Sequence, residues 1–197
     1  MDRLILVIDP QVAFCSTGGS LSKAFGVSEL AAITERLRDL EVFLASYPDR
    51  NELCVIRSEY RSGQFTGGDL NHLYSQACVP EHSDDCSLSL SQSALAGVRV
   101  LTKHEESAAS VSELAEMLRV GGPKEVLLTG FLTTSCVFKS ALALRNALPE
   151  SVTVGVLEDL TASRASNYRS AASGLSRHEA VLEEMRCAGI AIVQSAN

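Results

Sequence analysis

Three side chains that can cooperate in nucleophilic catalysis lie at the ends of apolar segments of the sequence. Asp9 ends the first apolar run, Lys103 ends a run in the middle of the chain, and Cys136 begins a stretch with helical spacing. A free thiol has a pKa near 8.5 and its thiolate is the nucleophile, so Cys136 needs neighbours that favour ionisation. A helix amino terminus and the Lys103 ammonium would do so, and the Asp9 carboxylate could accept the proton.

Each of these residues also has a plainer interpretation when it is taken alone. A cysteine in an apolar segment is most often a core residue, Asp9 could cap the turn before Pro10, and Lys103 could be a solvated charge. Their occurrence together at three strand ends favours the catalytic interpretation. Backbone N–H groups at the start of the helix that begins at Cys136 could also hold an oxyanion.

The segments that must position these groups alternate along the chain. Apolar runs predict six strands, at residues 4–8, 53–56, 98–103, 125–129, 152–157 and 190–193. Helical spacing predicts four helices, at residues 27–45, 110–122, 136–147 and 168–188, the second with Ser110 or Ser112 as its cap and Gly121-Gly122 as its end. Because parallel strands need crossover connections, we expect a doubly wound α/β fold with one mostly parallel six-stranded sheet and helices on both faces. Ligands bind beyond the carboxyl ends of such strands, where the three side chains lie.

Length and composition limit the class of protein. With 197 residues, 46% of them hydrophobic, we expect a single domain over residues 1–197 with a loop-rich insertion at about 57–95, in which residues 70–77 could form a short helix. The net charge of -7 and the pI near 5.1 give no reason to bind nucleic acid. The first apolar run is too short for a membrane span or a secretory signal. We therefore expect a cytoplasmic protein with mostly free thiols and no membrane partner.

Two other arrangements of reactive side chains can be drawn from the sequence. Cys78, His82 and Cys86 fall within one short segment and could begin a zinc site, or the two thiols could form a disulfide under oxidation, although a surface loop is favoured. His104 could pair with Cys136, but neighbouring strand residues point to opposite faces, so it should not share a target with the preceding lysine.

Four segments resemble the isochorismatase-like cysteine hydrolases, a family that includes nicotinamidases, N-carbamoylsarcosine amidohydrolases and ureidoacrylate amidohydrolases. The segments are Asp9–Phe14, the lysine at 103, Gly130–Val137 and Glu158–Ser163. They occur in the family's order, and the resemblance covers nearly the whole chain.

The resemblance implies a role for each residue of the trio. Asp9 would be the general base, Lys103 its electrostatic partner, and Cys136 the nucleophile that forms an acyl or carbamoyl thioester, which water then hydrolyses. It also implies a cis peptide bond between Phe131 and Leu132, which would aim the N–H groups of Leu132 and Cys136 into an oxyanion hole.

Departures from the family's motifs narrow the expected substrate. Nicotinamidases carry an Asp-x-His pair after the second strand to hold a metal ion, whereas this chain has Arg57–Arg61, with neither residue type. We therefore expect no metal and no other cofactor, and nicotinamide becomes a weaker candidate. Isochorismatases proper cleave a vinyl ether without needing the cysteine, so Cys136 favours hydrolysis of a carbonyl–nitrogen bond. The stretch after the lysine, His104–Ala109, is also altered.

The resulting hypothesis is a homo-oligomeric amidohydrolase, a dimer or a tetramer, that acts on a small amide, ureido or carbamoyl compound. Phe14, Tyr60, Arg61 and Gln64 follow the first two strands and could line the pocket, and Arg61 could bind a substrate carboxylate. A catalytically idle scaffold or interaction protein is the main alternative. A redox sensor at Cys136 would need a nearby second cysteine, and no Cys-x-x-Cys pair is present.

Overall fold

The computed structural model describes residues 2–65, 77–80, 84–172 and 174–195. Its six strands are β1 (Arg3–Ile8), β2 (Leu53–Ser58), β3 (Arg99–Lys103), β4 (Glu125–Phe131), β5 (Thr153–Ala162) and β6 (Ala191–Val193). They form one sheet in the order β3-β2-β1-β4-β5-β6, and every neighbouring pair is parallel. The predicted parallel six-stranded α/β fold is confirmed.

Helices cover both faces of this sheet. They are α1 (Val12–Cys15), α2 (Ser20–Phe25), α3 (Ala31–Ser46), α4 (Gln92–Leu95), α5 (Ser112–Gly121), α6 (Phe138–Ala147) and α7 (Arg177–Cys187). Because successive side chains of a strand point to opposite faces, Ile5 and Val7 of β1 join the core beneath α3, whereas Leu4, Leu6 and Ile8 join the core beneath α5, α6 and α7. No helix among the residues with assigned structure is long and apolar enough to cross a membrane.

The last helix differs most from its prediction. The predicted span of residues 168–188 was wrong in its first half, because α7 begins only at Arg177. Ser176 sets that start with a capping box, in which its hydroxyl accepts from the Glu179 N–H (3.2 Å) and the Glu179 carboxylate accepts from the Ser176 N–H (2.7 Å). Tyr168 instead ends a short 3₁₀ turn.

The predicted caps of α5 were also wrong. Its N-cap is Val111, which makes no side-chain hydrogen bond to the helix. The Ser110 hydroxyl donates to the Ser107 carbonyl (2.8 Å), and the Ser112 hydroxyl donates to Glu113 (2.9 Å), so neither is available to cap. Gly122 ends the helix in the left-handed region (φ 50°), near the predicted stop. The short helix predicted at 70–77 falls almost wholly outside the described residues.

The connection order creates a crevice between β1 and β4. The chain runs from β1 outward to β2 and β3, and then returns to the other side of β1 as β4, which makes this pair the topological switch point. Gly130 allows β4 to approach β1 closely there, since a Cβ atom at this position would lie 2.2 Å from the Ile8 carbonyl oxygen. Its φ of +98° also favours glycine.

Candidate active site

The three side chains predicted to act together meet at the carboxyl edge of the sheet. Asp9 follows β1 directly, Lys103 is the last residue of β3, and Cys136 lies in the turn after β4. The Lys103 Nζ atom lies 3.0 Å from the Asp9 Oδ2 atom. The exposed fractions are 0% for Asp9, 1% for Lys103 and 2% for Cys136, so the charges and the sulfur are shielded from bulk water.

A hydroxyl from the intervening strand connects the acid to the ammonium. Ser58 is the last residue of β2, directly beside Lys103 in the strand register. Its Oγ atom lies 2.9 Å from Asp9 Oδ1, 2.6 Å from Lys103 Nζ and 2.9 Å from the Tyr60 hydroxyl. Lys103 Nζ also donates to the Tyr60 hydroxyl (3.2 Å) and to the Glu105 carbonyl (3.2 Å). The gap between β1 and β3 is thus bridged by polar atoms of β2 and the loop after it.

The backbone around this hydroxyl is held by Gln11. The Gln11 amide donates to the Ser58 carbonyl (2.9 Å) and to the Cys86 carbonyl (3.1 Å), and its carbonyl oxygen accepts from the Ser58 N–H (2.6 Å). The Tyr60 N–H donates to the Cys78 carbonyl (2.8 Å). Both hydroxyl-bearing residues are therefore fixed through their main chains as well as their side chains.

The turn before Cys136 is shaped by hydroxyl groups of β5. The Phe131–Leu132 peptide bond is cis. The Thr161 hydroxyl donates to the Gly130 carbonyl (2.6 Å) and accepts from the Thr133 hydroxyl (3.0 Å). One turn of π-helix, Thr133–Val137, follows, so α6 begins two residues later than the predicted start at 136. The Cys136 sulfur therefore lies on a turn that is fixed by hydrogen bonds, and not in a regular α-helix.

Burial determines the protonation of the site in this conformation. It raises the pKa of the Cys136 thiol to about 12; the Lys103 ammonium acts in the opposite direction without cancelling the effect, and the Asp9 carboxylate adds to it. Desolvation thus outweighs the effect of the nearby cation on the thiol pKa. Burial alone would lower the pKa of Lys103, but the charge of Asp9 and the neighbouring sulfur hold it above its ordinary value. Burial also raises the pKa of Tyr60, which stays a neutral phenol.

The residues predicted to line the pocket lie at different depths. Phe14 and Tyr60 are each 2% exposed and belong to the same buried cluster as Leu132. Arg61 is exposed and Gln64 is half-buried. The Gln64 amide donates to the carbonyl of His104 (2.5 Å) and accepts from the Arg61 N–H (3.1 Å).

The alternative reactive side chains lie away from Cys136 or only partly within the described ranges. The exposed His104 ring places its Nδ1 atom 2.7 Å from the carbonyl oxygen of Glu59. Cys78 and Cys86 are both free thiols, and their side chains interact with each other. His82, the middle residue of the predicted zinc motif, lies outside the described residues. Across residues 2–65, 77–80, 84–172 and 174–195, no group of three or more His, Cys, Asp or Glu could hold a metal ion.

A cavity of about 1030 Å³ lies at the other end of the strands. Its lining includes Leu53 and Arg99, which are the first residues of β2 and β3. Ligands in open parallel sheets bind beyond the carboxyl ends of the strands, where the trio is. The cavity is therefore separate from the candidate active site.

Sequence reasoning missed two residues of this site, Ser58 and Gln11. The predicted second strand ended at Ile56, so the polar residue at the true end of β2 was not compared with the ends of the other strands. Extending that strand by two residues would have placed Ser58 beside Lys103. Gln11 lies within the Asp9–Phe14 segment, and no local pattern indicates that its side chain would bind another strand.

The sheet order and the buried acid, ammonium and thiol at its carboxyl edge define a doubly wound α/β protein with a candidate catalytic site at the switch point. The family model described as the Isochorismatase domain matches residues 3–197, and the chain belongs to this family.

Solved structures share the fold at low sequence identity. A pyrazinamidase of Pyrococcus horikoshii in complex with zinc is 20% identical, with a TM-score of 0.71 and coverage of 98% of this chain and 99% of that chain. A nicotinamidase from Bacillus subtilis is 17% identical, with a TM-score of 0.69 and coverage of 98% and 100%. An N-carbamoylsarcosine amidase from Thermoplasma acidophilum is 19% identical, with a TM-score of 0.66 and coverage of 100% and 98%. No curated protein sequence matches the chain.

The segment after β2 does not fit a metal ion. The oxygen atoms of Ser58 and Tyr60 accept hydrogen bonds from the Lys103 ammonium, and both are neutral hydroxyls. The Glu59 carboxylate pairs with Arg57 at 2.7 Å. A divalent cation prefers carboxylate, imidazole or thiolate ligands and would be repelled by the ammonium. The hydroxyl oxygens of Ser58 and Tyr60 thus bind the ammonium group of Lys103, and they are not arranged as metal ligands.

Proposed function

We propose that this protein is a cysteine hydrolase that cleaves the carbonyl–nitrogen bond of a small amide, ureido or carbamoyl compound through a thioester on Cys136. The observation that carries the proposal is the buried pair of Asp9 and Lys103, 3.0 Å apart, beside the thiol. Family membership supports it, as do similar structures that carry the names nicotinamidase and N-carbamoylsarcosine amidase.

The first chemical step joins proton transfer to attack. Because burial favours the protonated thiol, the Cys136 sulfur attacks the carbonyl carbon as its proton passes to Asp9. Lys103 compensates the charge of the Asp9 carboxylate before the transfer and stays protonated throughout. The negative charge of the reaction thus moves from the carboxylate toward the carbonyl oxygen.

The second step breaks the carbon–nitrogen bond. The backbone N–H groups of Leu132 and Cys136 donate to the oxyanion, and Asp9 returns its proton to the leaving nitrogen. Water then adds to the thioester while Asp9 takes one of its protons. As the carbon–sulfur bond breaks and the acid product forms, Asp9 gives that proton to the sulfur, which restores the thiol and the carboxylate. No step needs a metal ion or an organic cofactor.

Substrate entry in this proposal involves movement of groups next to the sulfur, since Cys136 is only 2% exposed. Phe14 and Tyr60 would line the inner pocket, and Arg61 and Gln64 would meet the outer part of the substrate, where the Arg61 guanidinium could bind a carboxylate. Such displacement would also admit the reacting water.

The test is ammonia release from a panel of primary amides, ureido acids and N-carbamoyl amino acids. The expected result is turnover of at least one class, with Cys136→Ala inactive and a thioester mass adduct on the wild-type Cys136 peptide after acid quench. Turnover that persists in the folded Cys136→Ala variant would rule out the covalent mechanism. Silence across the whole panel would favour the scaffold alternative.

Assembly and location remain part of the proposal. We propose a homo-oligomer, a dimer or a tetramer, in the cytoplasm, with a small molecule as the partner that the site binds. Light scattering coupled to gel filtration gives the mass directly, and a mass equal to the 21.0 kDa chain would contradict the oligomer.

A further inference from the structure

The Ser58 hydroxyl contacts both charges of the candidate site. It lies 2.9 Å from Asp9 Oδ1 and 2.6 Å from Lys103 Nζ, and Ser58 is 0% exposed. Its third contact is the Tyr60 hydroxyl at 2.9 Å. The direct contact between the charges uses the other carboxylate oxygen, Asp9 Oδ2. Oδ1 therefore accepts a hydrogen bond from Ser58, whereas Oδ2 faces the Lys103 charge at ion-pair distance without a well-aligned hydrogen bond.

The number of available protons fixes the direction of these hydrogen bonds. A serine hydroxyl has one proton and two lone pairs, an ionised carboxylate only accepts, and an ammonium only donates. The Ser58 proton therefore points to Asp9, and the two lone pairs accept from Lys103 and from the Tyr60 phenol. The raised pKa of Tyr60 agrees with a phenol that keeps its proton. All three hydrogen-bonding positions of Ser58 are thus occupied.

The hydrogen bond from Ser58 orients the Asp9 carboxylate, which the ion pair with Lys103 alone does not do. A carboxylate held only through Oδ2 can rotate about its Cβ–Cγ bond, which would change the oxygen presented to the thiol. The hydrogen bond from Ser58 to Oδ1, added to the attraction between Lys103 and Oδ2, opposes that rotation. Proton transfer depends on such geometry, because the acceptor must lie within hydrogen-bond reach of the proton.

We propose that Ser58 is a positioning residue: its hydroxyl orients the Asp9 carboxylate toward Cys136 and anchors the Lys103 ammonium, and Tyr60 holds that hydroxyl in place. Its kinetic consequence rests on the proposed hydrolase function, whereas its effect on Lys103 does not. The proposal also gives Tyr60 a role in orientation, beyond lining a pocket.

The experiment compares the wild type with Ser58→Ala, Ser58→Thr and Tyr60→Phe. Ser58→Thr retains a hydroxyl on the same carbon and serves as the rescue variant. Ser22→Ala is the matched control, since Ser22 is also buried (5% exposed) and its hydroxyl donates to the carbonyl oxygens of Thr17 and Gly19, both just before α2. Thermal unfolding establishes that each variant is folded before it is assayed.

The first measurement does not depend on activity. In protein labelled with ¹⁵N at lysine Nζ, the buried Lys103 ammonium should give its own slowly exchanging signal, because it donates to three oxygen atoms and lies 3.0 Å from the Asp9 carboxylate. Ser58→Ala removes the shortest of these contacts and should shift the signal or broaden it through faster proton exchange. Ser58→Thr and Ser22→Ala should leave it close to the wild-type position. An unchanged signal in Ser58→Ala would overturn the proposal.

The second measurement uses whichever panel compound the wild type hydrolyses. Ser58→Ala should lower kcat about tenfold or more, as expected when hydrogen bonds to charged groups are lost, with KM within about twofold. Tyr60→Phe should lower kcat by less, and Ser58→Thr should recover most of the rate. Wild-type kcat in Ser58→Ala, or a Tyr60→Phe effect confined to KM, would contradict positioning. If the wild type is silent on the panel, the hydrolase proposal fails, and the ammonium signal alone decides this inference.

Discussion

The contact between Asp9 and Lys103 allows a quantitative test of how the site is stabilised. At 3.0 Å and an effective dielectric constant of about 20, two unit charges attract by roughly 5–6 kcal/mol. Both side chains are fully buried, so removing either charge leaves the other desolvated and poorly compensated. We expect Asp9→Asn and Lys103→Met each to lower the free energy of unfolding by about 3–5 kcal/mol. The double variant should cost no more than the worse single variant, because no unpaired charge remains.

The assay is a double-mutant cycle by urea denaturation. The chain contains no tryptophan, so circular dichroism at a helical wavelength is the appropriate signal. The three variants and the wild type should give a coupling free energy of at least about 2 kcal/mol between positions 9 and 103. Additive effects, within about 0.5 kcal/mol, would refute the view that the two charges compensate each other inside the fold. Ser22→Ala, measured alongside, gives the effect of removing a buried hydroxyl elsewhere.

Three further perturbations test other features of the structure. Burial raises the pKa of Cys136 from an ordinary 9.0 to about 12, so the stability that the neutral thiol contributes is present below about pH 9 and is lost as the pH rises toward 12. Between about pH 8 and about pH 10.5, the wild type should therefore lose about 2 kcal/mol more of its free energy of unfolding than Cys136→Ala does. Parallel curves of stability against pH for the two proteins would contradict this. Gly130→Ala should lower the free energy of unfolding by at least about 3 kcal/mol, because the added Cβ meets the Ile8 carbonyl at 2.2 Å; a loss below about 1 kcal/mol in urea denaturation would show that β4 can shift. Ser176→Ala removes the cap of α7 and should cost about 1 kcal/mol by the same method, and no loss would mean that packing alone sets the helix start.

The sequence was most informative where local chemistry and strand order coincide. Asp9, Lys103 and Cys136 could be predicted to meet because each ends or follows an apolar run, and parallel topology brings such ends to one edge. Ser58 escaped prediction because its importance depends on register, which pairs it with Lys103 only once β2 and β3 are aligned. Register is a tertiary property, and a shift of one residue would have turned the hydroxyl to the opposite face.

The protonation of Cys136 could not be predicted from residue types. Lys103, which is close to the sulfur in the fold, and the helix start, which is close to it in sequence, both favour a thiolate. Desolvation decides the outcome, and it depends on how completely neighbouring segments cover the residue, which is 2% exposed. The start of α7 is a second feature that the sequence pattern did not give correctly. The apolar spacing predicts a helix from Tyr168, whereas the capping box of Ser176 makes the helix begin at Arg177.

The division of the trio across the switch point has a practical consequence for protein engineering. Gly122 ends α5 and Glu125 begins β4, so a chain break between them leaves Asp9 and Lys103 on one fragment and Cys136 on the other. Neither fragment carries a complete set of reacting groups, and the pairing of β1 with β4 would have to form between the two pieces for the groups to meet. With the proposed hydrolase activity, fragments fused to a pair of interacting proteins would make a split enzyme whose turnover signals that the pair has associated.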